Sequence, residues 1–352
     1  MSGYTDPLLP THMGHNGPSP SSMAGHAAQT VTTMTAGSMH SRTAPALPYT
    51  YTSPHMLYAV DVLPDLSFYP SDGTQASLHM AVGTMQDSGE NKLQIVSLGS
   101  SVEDDPRSLT LSVEAQSDAI FPFTKIMGQN HYGRGLLATT SDMLRIWRYI
   151  DDDGIQLTME AELCSGKSDM LAPLTSFDWS EIKGSLVVTC SVDTTCTVWD
   201  VETKQAKTQL IAHDREVYDV AFVAGSADIF ASVGADGSVR MFDLRSLDHS
   251  SIIYESPAAD HRPQAPLLRL ACNRKNANYL ATFHMDSNVV QVLDARMPGT
   301  PFVELHGHTE PLTGVTWSPQ DELTLCSCGN NSNSHKNNDV NGILTTQYVP
   351  CN

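Results

Sequence analysis

Two stretches of this chain, Leu174–Glu202 and Val217–Arg245, are copies of one pattern set 43 residues apart. The first reads LTSFDWSEIKGSLVVTCSVDTTCTVWDVE and the second VYDVAFVAGSADIFASVGADGSVRMFDLR. Without a gap, Trp179 meets Phe222, Thr189 meets Ser232, Asp193 meets Asp236, Trp199 meets Phe242 and Asp200 meets Asp243. Within each copy, Phe177 and Trp179, or Val220 and Phe222, alternate with polar neighbours as in a half-buried strand. The runs LVVTCS and IFASVG are β-branched and small, which suits a strand buried on both faces. Val192-Asp193-Thr194-Thr195 and Ala235-Asp236-Gly237-Ser238 read as tight turns, with Asp capping and Gly supplying positive φ. A third strand (CTVWD, SVRMFD) and an outer one (KTQLIAH, SSIIYES) complete the unit.

Four short strands per repeat, a period of about 40–45 residues and a Trp-Asp ending are the signature of a WD40 propeller blade. The chain therefore reads as an all-β WD40 β-propeller. A first blade comprises LYAVDV, LHMAVGT, NKLQIVSL and SLTLSVEAQ. A second comprises FPFTKIMG, GLLATTSD, MLRIWRYI and IQLTMEAEL, with Trp147 at the Trp-Asp position and Arg148 in place of the Asp. The repeated copies are blades three and four. The fifth reads PLLRLACN, NYLATFHMD, NVVQVLDAR and PFVELHGH, with Asp294 at the blade end. The sixth starts at Gly307-His308 and runs to Gly329, after which no turn Asp or Trp-Asp strand follows. Five complete blades and part of a sixth are thus expected, as in a propeller truncated at its C-terminus or closed in an unusual way.

Three segments follow. Residues 1–48 are rich in Ser, Thr, Gly, Pro, His and Met with almost no charge, and are expected to be disordered. Residues 49–329 are the propeller, and 330–352 a polar C-terminal tail. Tyr49-Thr50-Tyr51-Thr52 is β-prone and placed to complete the last blade. Ser19-Pro20 and Ser53-Pro54 could meet proline-directed kinases, although an unmodified solubilising tail is the plainer reading.

The formal charge is −19, and of it only Asp6 and Arg42 lie in residues 1–56. An acidic propeller is a poor binder of phosphate backbones, so no direct nucleic-acid role is expected. No apolar run approaches the ~20 residues that cross a membrane as a helix. Seven cysteines without a framework spacing suit a reducing compartment, hence cytoplasm and nucleus.

Candidate chemistry is sparse. WD40 blades are often pinned by a His, a Ser or Thr, a turn Asp and a Trp. Blade four supplies His213, Ser232 and Asp236, with Phe242 for the Trp; blade three supplies Thr189, Asp193 and Trp199 without a His; blade six supplies His308. His, Asp and Ser together resemble a hydrolase triad, but no G-x-S-x-G elbow is present and the residues recur at blade period. No catalytic, cofactor or metal residue is expected. Cys326-x-Cys328 with His335 has an unusual spacing for zinc. Asp243-Leu244-Arg245 and Asp294-Ala295-Arg296 end two blades. A planar guanidinium suits a protein contact, so Arg245 and Arg296 are candidates, against the plainer reading of arginines solvated or paired on the rim.

The strings LTSFDW, SVDTTCTVWDVETK, TQLIAHDREVYDVAF and FASVGADGSVRMFDLR closely resemble one WD-repeat family over about residues 57–329. That family holds the plant anthocyanin-regulating proteins of the Transparent Testa Glabra type and the animal DDB- and cullin-associated kinase scaffold. The resemblance implies a seven-bladed, non-catalytic propeller that assembles transcription factors, kinases of the dual-specificity tyrosine-regulated class and ubiquitin-ligase parts. The alternative role, substrate receptor of a cullin-RING ligase, rests on Arg245 and Arg296, which stand where the WD-x-Arg end of such receptors presents its Arg to the adaptor, although neither copy here has the Trp. The sequence departs from the family before residue 48 and after Gly329.

Overall fold

The computed structural model describes residues 31–34, 49–63, 66, 78–87, 89–100, 109–129, 135–151, 154–164, 172–257, 264–329 and 343–348. Strands β1 (Val31–Met34) and β2 (Tyr49–Thr52) form an antiparallel pair. Among the described residues, six antiparallel sheets follow in chain order. The first contains β3 (Leu57–Val62), β4 (Leu78–Thr84), β5 (Asn91–Ser100) and β6 (Leu109–Ala119). The second contains β7 (Lys125–Gly128), β8 (Leu136–Thr140), β9 (Leu144–Asp151) and β10 (Ile155–Leu163). The third contains β11 (Leu174–Trp179), β12 (Leu186–Ser191), β13 (Thr195–Asp200) and β14 (Gln205–Ile211). The fourth contains β15 (Val217–Phe222), β16 (Ile229–Gly234), β17 (Ser238–Asp243) and β18 (Ser246–Glu255). The fifth contains β19 (Leu267–Cys272), β20 (Tyr279–His284), β21 (Val289–Asp294) and β22 (Val303–His306). The sixth has three strands, β23 (Leu312–Trp317), β24 (Thr324–Gly329) and β25 (Ile343–Tyr348).

The first strand of each sheet lines one central channel of about 830 Å³. This is the propeller that the repeats predict. β12 is buried along its whole length, in keeping with its β-branched, small composition. A bulge recurs one residue into the inner strands β3, β11, β15, β19 and β23, so their side chains stay in register around the channel. Apolar clusters fill each junction between consecutive sheets. Leu144, Ile146 and Leu163 meet Phe177 and Trp179 between the second and third sheets. Val188, Cys190 and Val198 meet Val220, Phe222 and Phe230 between the third and fourth. At about 1.5–3 kcal/mol per fully buried large side chain, these junctions hold the ring together.

Two terminal expectations need correction. Tyr49–Thr52 does not join the last sheet. It pairs with β1, inside the segment expected to lack structure, and Tyr51 packs on Met80, Val82 and Val96 of the first sheet. A lone β-prone strand has unpaired backbone donors, and β1 is the partner that meets them. Ile343–Tyr348 lies in the segment expected to be only a polar tail, yet it pairs with β24 over its full length. The rest of the first 48 residues, including Ser19, His12, His15, His26 and His40, lies outside the described residues, as do His335 and Cys351.

The sheet faces are not all covered. Phe177 and Trp179 of β11 are buried against the preceding sheet, at 0% and 5% exposed. Their register equivalents in β3, Val60 and Val62, are 48% and 40% exposed, and Tyr58 beside them is 50% exposed. Tyr51, whose hydroxyl donates to Gln94 Oε1 at 2.9 Å, covers the outer part of the same sheet.

Among the described residues Thr194, Lys204 and Asp286 are the non-glycine residues with positive φ, and Thr194 is the β-branched one. Gly237 has φ 74°, and the register-equivalent Thr194 has φ 75°. A β-branched residue in that region costs about 1 kcal/mol, a cost that glycine avoids. Thr194→Gly should therefore raise the unfolding free energy by about 0.5–1 kcal/mol, read from urea midpoints; an unchanged or lower midpoint would refute the strain.

Candidate functional site

The polar residues expected to pin the blades make hydrogen bonds within their sheets, in two forms, Trp to Thr and His to Ser. In the fourth sheet the His213 imidazole bridges Asp236 at 2.9 Å through Nδ1 and Ser232 Oγ at 2.7 Å through Nε2. Burial alone would raise the Asp236 carboxyl. The His213 ring, the Ser238 hydroxyl and the Asp214 N–H outweigh it, so Asp236 titrates well below the usual carboxylate range. Ser232 and His213 are buried, so the triad-like trio has no access to a substrate. In the third sheet, without the His, Trp199 Nε1 donates to Thr189 Oγ1 at 2.9 Å. Asp193 accepts from the Thr195 N–H and hydroxyl, and Asp200 from the N–H of Glu202 and of Thr203. Trp147 repeats the Trp199 bond, to Thr139 Oγ1 at 2.9 Å, and His308 Nε2 meets Ser327 Oγ at 2.9 Å. Phe242 cannot donate; it stacks on Phe230 with ring centroids 5.0 Å apart.

The two Asp-x-Arg endings have one geometry. Asp243 accepts the Arg245 N–H at 3.0 Å and grips its guanidinium through Nε at 2.8 Å and Nη2 at 2.6 Å. Asp294 holds Arg296 in the same way, at 2.9, 2.9 and 2.6 Å. Arg245 lowers the Asp243 carboxyl to about 2 and Arg296 lowers that of Asp294. Both arginine side chains stay mostly exposed, at 66% and 60%. They are paired on the rim, as the plainer reading expects.

Three inner-strand carboxylates that line the channel were not singled out in the sequence. Each lies on an inner strand and accepts a backbone N–H from another sheet. Asp61 takes Gly128 N–H at 2.8 Å, Asp178 takes Phe222 N–H at 2.7 Å and Asp219 takes Leu270 N–H at 3.0 Å. They link the first sheet to the second, the third to the fourth and the fourth to the fifth. The signal was present as a single Asp inside each apolar run, in VDV, FDW and YDV.

The profile of the WD domain, G-beta repeat, matches residues 204–243 and 299–336. The DDB1- and CUL4-associated factor 7 homolog of Dictyostelium discoideum is 41% identical over 282 residues, 79% of this chain and 80% of that protein. The chain belongs to the WD40-repeat family. A WD repeat-containing protein of Schizosaccharomyces pombe is 42% identical over 299 residues, 79% of this chain and 66% of its own length. Another, of Saccharomyces cerevisiae, is 38% identical over 296 residues, 75% of this chain and 55% of its own length.

In this WD40 protein the channel carboxylates carry a pH signature. Burial pushes Asp178 up to about 6, against the pull of Lys125 and the Phe222 N–H, and burial also raises Asp61. The unfolded chain binds fewer protons at Asp178 between pH 4 and 6, so this group's contribution is full below about 4 and is lost as pH rises through about 6. Stability should fall by roughly 2–3 kcal/mol over that window, against the opposite trend of Asp236 and Asp243 at lower pH. Asp178→Asn should flatten the slope between pH 4 and 6 in a urea-midpoint series; an unchanged slope would assign it elsewhere.

Among the described residues, no group of three or more His, Cys, Asp or Glu is arranged to hold a metal ion. Cys326 and Cys328 lie on β24, with Thr313 Oγ1 3.4 Å from Cys328 Sγ. No helix of the described residues is long and apolar enough to cross a membrane.

Proposed function

We propose that this WD40 protein is a non-enzymatic scaffold that brings other proteins together on the rims of its ring, in the cytoplasm and nucleus. The observation that carries this reading is the 41% identity to the Dictyostelium factor over most of both chains. Exposed apolar residues at loop and strand ends, among them Ile120, Phe121, Ile211 and Met297, supply contact area of the kind that protein partners cover. Partners of the class suggested by the sequence resemblance are transcription factors and dual-specificity tyrosine-regulated kinases, and the kinship extends on this reading to the plant Transparent Testa Glabra proteins. Holding two partners on one ring raises the effective concentration of each near the other. A pull-down with the intact chain should recover such partners above background, and recovery of none would overturn the proposal.

A second reading is favoured by the paired geometry of Arg245 and Arg296, and by the name of the Dictyostelium relative. Here the protein is a substrate receptor of a cullin-RING ligase, and the two guanidiniums meet the ligase adaptor. Each is pre-set by its own Asp, which lowers the entropy cost of docking. Arg245→Ala with Arg296→Ala should weaken adaptor binding by about 2 kcal/mol per arginine, roughly 30-fold each, and leave the unfolding midpoint within about 0.5 kcal/mol. Unchanged adaptor affinity would refute this role while leaving the scaffold reading intact.

A further inference from the structure

Three cations among the described residues line the channel; Arg274 closes on Glu181, which leaves Lys125 and Arg269. Lys125 on β7 places Nζ 3.7 Å from Asp219 Oδ1, beyond hydrogen-bond length, and 5.9 Å from the centroid of the Phe177 ring. Asp219 is already engaged. Its Oδ1 accepts the Ser176 hydroxyl at 2.5 Å and its neighbour Val220 N–H at 3.0 Å, while Oδ2 accepts Leu270 N–H. Arg269 on β19 flanks the same carboxylate, with Asp219 the foremost charge that favours its cation. Its guanidinium makes two long bonds, from Nη1 to Leu268 O at 3.4 Å and from Nη2 to Tyr58 Oη at 3.3 Å. An arginine carries five N–H donors and a lysine three, more than the acceptors that these contacts supply, and both side chains line the 830 Å³ channel.

We infer that the channel binds an oxyanion, a carboxylate or a phosphate group, between Lys125 and Arg269. The nearby carboxylates that share the charge of Lys125, Asp219, Asp61 and Asp178, are each already engaged by other donors. Asp61 and Asp178 lie two residues further along their strands than Ala59 and Ser176, about 7 Å away, and each carboxylate accepts an N–H of the next sheet. Glu181 is closed on Arg274 at 2.6 Å. An oxyanion offers several lone pairs to the guanidinium fork, the ammonium and the Tyr58 hydroxyl together, and charge-assisted bonds of this kind are the strong ones. The six inner strands already hold these side chains around one space, so little ordering cost attends binding. This site is separate from the rim arginines and does not depend on their role.

The test is a titration of the full chain with inorganic phosphate, and in parallel with acetate, against chloride at matched ionic strength, followed by calorimetry. Saturable one-site binding of phosphate is expected, reduced about tenfold or more in Lys125→Met and in Arg269→Gln. Acetate binding at the same site would assign the natural ligand to carboxylates, and its absence would assign it to phosphates. Should Arg269→Gln fail to fold, Lys125→Met, whose side chain is partly exposed, decides the matter. No saturable binding of either anion, or variants that bind as the parent does while losing only stability, would overturn the inference.

Discussion

Trp199→Ala is expected to destabilise the ring by about 3–5 kcal/mol, a large share of the roughly 5–15 kcal/mol that keeps an ordinary domain folded. The indole is 2% exposed and lies where the second and third sheets meet, packed with Leu144, Ile146, Phe177 and Trp179. Its removal opens a cavity that strands on both sides cannot close without breaking their ladders. It also strips Thr189 Oγ1 of its indole donor. Trp199→Phe separates the two losses. The fourth sheet has phenylalanine at the same register, Phe242, and there Ser232 bonds His213 instead. Trp199→Phe should cost only about 1–2 kcal/mol, the share of the hydrogen bond and a smaller ring. Urea midpoints of the two variants compare the terms, and equal losses would show that packing contributes little.

Asp219→Ala should cost a similar amount, about 3–5 kcal/mol, for a different reason. The carboxylate is 4% exposed and gathers donors from three sheets: Ser176, Leu270 N–H and its own neighbour Val220 N–H, with Lys125 close by. Alanine leaves those groups buried without an acceptor and Lys125 without its countercharge. Asp219→Asn keeps an acceptor and should recover about half of the loss. Amide exchange adds a local readout. The Leu270 N–H should lose protection in Asp219→Ala well before the hydrogen-bonded ladder of β16 does. If Leu270 stays as protected as its neighbours, the inter-sheet bond is not what holds the fourth sheet to the fifth.

The register of the 43-residue repeat carried most of the fold. It placed the four strands of the third and fourth sheets, the turn aspartates Asp193 and Asp236, and the Trp199 position, because these depend on neighbours within one sheet. Strand alternation and turn chemistry are local, so they are written in short stretches of chain. The His213–Asp236–Ser232 group could likewise be named from the sequence, since all three belong to one blade or the loop that enters it.

Contacts between sheets were not legible in the same way. Nothing in the run LTSFDW says that Asp178 will accept the N–H of Phe222, 44 residues on. That bond exists because packing one sheet on the next brings inner-strand edges together around a channel. Nor did the sequence foretell that Arg269 would reach Tyr58, 211 residues away. Tyr49–Thr52 went to β1, not to the last sheet, because strand pairing is decided by which backbone edges meet in space, and β-propensity fixes only that a strand will form. The sequence by itself determined the repeat, its strands, its turns and the family. Tertiary structure alone decided which carboxylates became inter-sheet links, which cations face the channel and which sheet face stayed open, since burial and charge pairing are properties of the assembled ring.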